Sequence, residues 1–282
     1  MKKETTPTAA HTAFAASAAA LGERLGLPRD VLDRLPDLSG DETARDLACR
    51  LTERGRAEEA FREARAYLAP DPDGFRMLAL QLDAAARLHS VYRARGVPDE
   101  VYFATMDCFP RFLEETRRID GRPAFDRDWW TWRQTSMLIV RLGALEFELH
   151  TTRDGERFVS VHIPTGADLS PAAVDDSLER ARAYLAAHEP AFVDLPFVCH
   201  SWLLSCELYP LLSSASRIRS FADRFAIRPT ADPSELCRWL FSVPSDTPSR
   251  DLPEDTSLRR TVKARLLAGE SFFDGFGRLK TP

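Results

Sequence analysis

Two carboxylates and an imidazole stand where a proton could be moved. Glu146 and Glu148 lie on one alternating stretch, and His162 lies on the next. In the first, Leu145, Phe147 and Leu149 point one way, and Ala144, Glu146 and Glu148 the other. In the second, Val159, Val161 and Ile163 share a face, with Phe158, Ser160 and His162 opposite. A two-residue Asp-Gly turn between them would set Glu148 against Val161 and bury carboxylates among aliphatic side chains. A three-residue loop, Arg153-Asp154-Gly155, with Gly155 left-handed, pairs Glu146 with His162 and Glu148 with Ser160. Such groups serve as general bases and proton relays. The competing reading is a solvated strand face with a hydrogen-bonded structural histidine.

A second group is Cys199-His200-Ser201, closing the strand expected over Phe192–Ser201, bulged at Pro196. Neighbours in a strand point to opposite faces, so Cys199 and His200 do not form a thiol–imidazole pair, and Cys199 is expected in the core. His200 and Ser201 could orient a substrate or donate a proton, or simply satisfy each other at a strand end. The segment Pro164, Thr165, Gly166, Ala167, Asp168 and Leu169 joins a strand to a helix opening at Ser170-Pro171. A helix start offers free N–H groups and a positive dipole end to an anion, and Thr165 adds a hydroxyl; an ordinary turn is the plainer reading. Arg141 departs from the apolar pattern of its strand and could hold an anionic group or a helix end. Trp202 is a further candidate substrate contact, although tryptophans here, including Trp129, Trp130 and Trp132, more commonly serve packing.

The elements that must position these groups divide the chain in two. Residues 1–122 read as helices: Ser39 and Glu42 have capping-box spacing, and Ala44, Leu47, Ala48 and Leu51 fall on one helical face. Tyr102, Met106, Phe109 and Leu113 mark one helix kinked at Pro110. Residues 123–282 read as mixed strands and helices. There Ile139 to His150 is one strand, Leu236 to Val243 another, and Gly275 and Gly277 mark a turn packed against the body. The fold class is α+β.

Composition excludes several functions. With 282 residues, 44% hydrophobic, 29% charged and a net charge of −5 with interspersed signs, the chain has a globular composition and no basic face for nucleic acid. Five scattered cysteines without C-x-x-C spacing indicate neither a disulfide framework nor a metal site. The N-terminal Ala-rich stretch is interrupted by Thr and His and runs on into Glu23 and Arg24, which speaks against a secretion signal. No run of about 18 apolar residues could span a bilayer. The expected compartment is the cytoplasm.

Arg141-Leu-Gly-Ala-Leu-Glu-Phe-Glu148, His162-Ile-Pro164, Cys199-His-Ser-Trp-Leu-Leu204 and Thr256-Ser-Leu-Arg-Arg260 form a series. It resembles that of bacterial acyltransferase-domain proteins, which join a helical N-acyltransferase N-terminal domain to a GNAT-like C-terminal domain. The resemblance covers essentially the whole chain. It implies a sheet whose two central strands, Arg157–Ile163 and Phe192–Ser201, splay to admit the pantetheine of an acyl-CoA co-substrate. Pro164–Leu169 would then be the pyrophosphate loop. The common loop of that fold reads Arg/Gln-x-x-Gly-x-Gly/Ala, where this chain has only Pro164-Thr-Gly-Ala167. The implied reaction is acyl transfer to a small-molecule amine by direct attack on the thioester. Glu146, Glu148 and His162 would manage the ammonium proton, and His200 and Ser201 the leaving thiolate. The alternative is a non-catalytic module that keeps the fold for ligand sensing or protein interaction.

Overall fold

Among the described residues, apolar residues at helical spacing produce eight helices before the first strand. They are α1 (Ala18–Arg24), α2 (Arg29–Leu32), α3 (Glu42–Leu51), α4 (Ala57–Tyr67), α5 (Phe75–Ala94), α6 (Asp99–Met106), α7 (Cys108–Asp120) and α8 (Asp128–Thr135). The computed structural model describes residues 18–280, so most of the stretch weighed as a secretion signal lies outside the described residues. The long α5 is buried along most of its length, and Leu78, Leu82, Leu88 and Tyr92 are fully enclosed.

Two helical expectations need correction. The N-cap of α3 is Asp41, whose carboxylate accepts from the Ala44 amide at 3.0 Å. Ser39 lies two residues too early, and its own amide donates to Asp37. The chain also breaks at Asp107 rather than kinking at Pro110. Pro110 sits in the first turn of α7, where an amide would have no intrahelical acceptor.

The second half supplies β1 (Ile139–Leu142), β2 (Leu145–Thr151), β3 (Arg157–His162), α9 (Pro171–His188), β4 (Phe197–Ser201), α10 (Arg217–Ala222), β5 (Phe225–Pro233), α11 (Leu236–Phe241), α12 (Ser257–Leu267) and β6 (Phe273–Leu279). The strands form one mixed sheet in the order β1-β2-β3-β4-β6-β5, with β3 and β4 parallel and the other neighbours antiparallel. The stretch expected as one strand from Ile139 is two, because Gly143 takes a φ of 70° and Leu142 pairs with Leu145 across a tight turn. Ala144 then donates to Ser177 Oγ of α9 at 2.8 Å.

Leu236–Phe241 is a helix, not a strand. A short apolar run carries no period that separates the two, and Trp239 Nε1 donates to Glu235 Oε2 four residues back. The terminal glycines are strand, not turn: β6 inserts between β4 and β5. It passes so close to the turn after β4 that a Cβ at Gly275 would lie 1.9 Å from the Leu204 carbonyl oxygen.

The apolar sheet face, with Phe147, Leu149, Val159, Val161 and Cys199, joins the helical half in one continuous core. The halves are also tied by charge. Glu189, at the end of α9, accepts from Arg54 and Arg95, and Arg54 also donates to the Met137 carbonyl. The opposite sheet face carries Glu146, Glu148, Ser160 and His162, and α7 and α8 reach the two glutamates through Arg111 and Arg133.

Candidate active site

The hairpin of β2 and β3 has the register that hydrophobic patterning selects. Glu146 pairs with His162, Glu148 with Ser160 and Leu149 with Val159, and Gly155 takes a φ of 89°. Side-chain bonding shifts by one pair. His162 Nε2 lies 2.8 Å from Glu148 Oε2, while Glu146 turns to the guanidinium of Arg111 on α7. Neither glutamate is solvated, at 3% exposure for Glu146 and 6% for Glu148, because α7 and α8 close over them.

Burial works against the charge of Glu148. Hydrogen bonds from His150 and His162, with the Arg133 guanidinium 3.2 Å away, outweigh it and hold the carboxyl well below the usual carboxylate range. A carboxylate only accepts, so Nε2 of His162 carries the proton in this pair, and in the neutral ring the lone pair is then on Nδ1. The ring also meets the face of Trp130 edge-on, 4.8 Å between centroids. Arg133 stacks over the same indole at 4.0 Å. The imidazole is therefore held on two sides.

Two clefts open on this face and share Trp130, His162 and His200. One, of about 500 Å³, runs between the ends of β3 and β4 and reaches the loop after β3. The other, of about 790 Å³, lies over Glu148, Ser160 and the β5–β6 edge. The first exists because β3 and β4 pair only at Val159–Phe197 and Ser160–Val198 and then separate. The two strands separate as the resemblance implies, but the strand expected over Phe192–Ser201 begins only at Phe197, after Pro196, and Pro190–Phe192 is a 3-10 turn.

The loop after β3 lines the first cleft with Pro164, Thr165, Gly166, Ala167 and Leu169. Gly166 takes a φ of 78°, and a Cβ there would meet nothing within 4 Å, so the loop's surface is open. Asp168 does not line the cleft. Its carboxylate accepts from the amide and hydroxyl of Ser170, and from Arg217 of α10 at 3.0 Å. Arg217 thereby brings to the loop a cation that the loop's own sequence lacks.

At the end of β4, Ser201 Oγ caps the following turn by accepting from the Leu203 amide at 3.2 Å. His200 is exposed and pairs with Asp232 of β5 at 3.1 Å. Both line the first cleft, as do Trp202 and Trp129. Cys199 is fully buried on the other face, and burial pushes its thiol far up. Arg141 lies outside both clefts. Its guanidinium binds Asp107 at the end of α6 at 3.0 Å, the helix-end alternative. Among the described residues, no group of three or more His, Cys, Asp or Glu is arranged to hold a metal ion.

Sequence reasoning missed Arg111 and Glu115 from α7 and Arg133 from α8, and weighed Trp130 of α8 as packing. One signal was available. Glu115 shares the buried stripe of α7 with Phe112, Thr116 and Ile119, where a carboxylate is out of place.

Comparison with known proteins agrees with this geometry. A family model described as a GNAT-like C-terminal domain matches residues 139–279, and one described as an N-acyltransferase N-terminal domain matches residues 16–137. No curated protein sequence matches the chain. Among solved structures, an acyltransferase in complex with decanoyl-CoA and teicoplanin superposes with a TM-score of 0.77 at 26% identity, covering 94% of this chain and 88% of that one. An acyltransferase in complex with CoA and 10C-teicoplanin gives the same TM-score, identity and coverage. A mutant acyltransferase in complex with octanoyl-CoA matches at 25% identity, with a TM-score of 0.77 and the same coverage of both chains. The chain belongs to the acyltransferase family that joins an N-acyltransferase N-terminal domain to a GNAT-like C-terminal domain.

Proposed function

We propose that this protein transfers an acyl group from coenzyme A to a small-molecule amine, with His162 as the general base and Glu148 as its positioning residue. The observation that carries this reading is the sharing of His162 by two clefts. Residues 123–282 would form the catalytic domain, α8 included, and residues 1–122 the helical domain whose α7 completes the roof, acting in the cytoplasm. Acyl-CoA fits the 500 Å³ cleft, with its pyrophosphate against Thr165, Gly166 and the start of α9, and with Arg217 nearby. Its pantetheine would follow the gap between β3 and β4. The amine would occupy the second cleft, whose lining sets the carboxylates of Glu148 and Asp232 opposite a single guanidinium, that of Arg228. That a relative is found in complex with decanoyl-CoA and teicoplanin supports the use of an acyl-CoA together with a second substrate.

The chemistry follows from the dyad. An ammonium has no lone pair, so Nδ1 of His162 takes its proton, and the imidazolium is stabilised by the adjacent Glu148 carboxylate. The freed amine attacks the thioester carbonyl carbon, the adduct's nitrogen releases its second proton as the C–S bond breaks, and an amide forms while coenzyme A departs as a thiolate that this proton neutralises by way of the strand-end groups. His200 and Ser201, at the facing strand end, orient the thioester and return a proton to sulfur. Ser201 keeps its O–H for this while its oxygen caps Leu203. Glu146 is tied to Arg111 and holds α7 over the site rather than moving protons. Incubation with decanoyl-CoA and a panel of amines tests the reading. Amine-dependent release of free thiol is the expected result, and binding without release would contradict it.

A further inference from the structure

The helix-side end of the first cleft holds a carboxylate that the mechanism does not use. Glu115 is 3% exposed and lines the cleft, and neither of its oxygens has a hydrogen-bond partner. The nearest cation is Arg111, whose Nη1 is 3.9 Å away, beyond hydrogen-bonding distance, and which already serves Glu146. One guanidinium thus faces two buried carboxylates. Arg127 lines the same cleft with its Nη2 buried and unpartnered, and Nε of Arg111 is unpartnered too, yet neither bonds to Glu115, and the Phe112 wall beside it offers no donor. A buried acceptor left without a donor is costly, and a plain alkyl chain lying against it would leave that deficit in place.

We propose that this end of the cleft is a subsite for an acyl chain bearing a hydrogen-bond donor, a hydroxyl or an amino group, which Glu115 accepts. The inference rests on the reading of this cleft as the acyl-CoA site. Glu115 lines that cleft and not the one assigned to the amine, so the donor belongs to the acyl group rather than to the acceptor. A site built to accept a hydrogen bond discriminates against analogues that lack the donor.

The test compares decanoyl-CoA with a series of hydroxydecanoyl-CoAs whose hydroxyl is moved along the chain, by calorimetric binding and by KM. One positional isomer should bind the wild type roughly tenfold more tightly than decanoyl-CoA. Glu115→Leu should abolish that preference while binding decanoyl-CoA at least as well. Glu115→Gln, which keeps an acceptor oxygen and the side chain's volume, should retain part of it and controls for folding. Equal affinity across the series, or a preference that survives Glu115→Leu, would overturn the proposal. So would a Glu115→Leu effect confined to the KM of the amine. Decanoyl-CoA binding by the wild type separates these failures from failure of the acyl-CoA reading, which would show as no binding of any member.

Discussion

His162 bonds to Glu148, 2.8 Å away on the diagonal of the hairpin, and not to Glu146, which stands directly across from it. The choice is made by the roof. Arg111 from α7 draws Glu146 aside, and Arg133 and Trp130 from α8 fix Glu148 and the imidazole. The dyad is therefore an assembly of both halves of the chain, and its behaviour under substitution follows from that.

The depressed acidity of Glu148 has a consequence for stability. A carboxylate whose folded pKa lies below its unfolded value, about 4.3, contributes stability that is fully present above the unfolded value and is lost as pH falls toward the folded one. Glu148→Gln should be less stable than the wild type at neutral pH, by on the order of 2 kcal/mol. The gap should narrow as the pH drops below about 4. Urea unfolding at a series of pH values measures it, and a gap of constant size would be inconsistent with an ionised, hydrogen-bonded Glu148.

Gly166 tests the loop. Its φ of 78° disfavours any side chain, and its open surface is where a phosphate would approach. Gly166→Val should leave thermal unfolding within a few degrees of wild type and weaken coenzyme A binding about tenfold or more. Unchanged affinity would remove the loop from the binding site.

Gly275 tests the strand insertion. A methyl group there collides with the Leu204 carbonyl, which is backbone and cannot turn away. Gly275→Ala should destabilise the protein by about 3 kcal/mol, detectable as a lower urea midpoint. A neutral substitution would show that β6 does not pass beside Leu204 as described.

The hairpin was legible because alternation has a period of two and a one-residue slip exposes every apolar side chain. That local rule put Gly155 in the loop and Glu146, Glu148 and His162 on one face. It could not say what covers the face. The residues that bury the glutamates lie 15 to 35 positions away along the chain, on helices whose own patterns report only that they are amphipathic. Arg217 escaped notice for the same reason, because it reaches the loop from 49 residues on. Leu236–Phe241 misled because a short apolar run suits a strand as well as a buried helix. Gly275 and Gly277 misled because glycine marks close approach as readily as a turn.

If His162 is the base at the meeting of the two clefts, His162→Asn removes the proton acceptor and little else. Asparagine can keep polar contact with Glu148 but cannot take a proton from an ammonium. With decanoyl-CoA and an amine that the wild type acylates, the variant should lose roughly 10²–10⁴-fold in turnover. Its affinity for decanoyl-CoA, measured separately, should stay within about twofold of wild type. Full turnover by the variant would contradict the account and leave His162 a structural partner of Glu148.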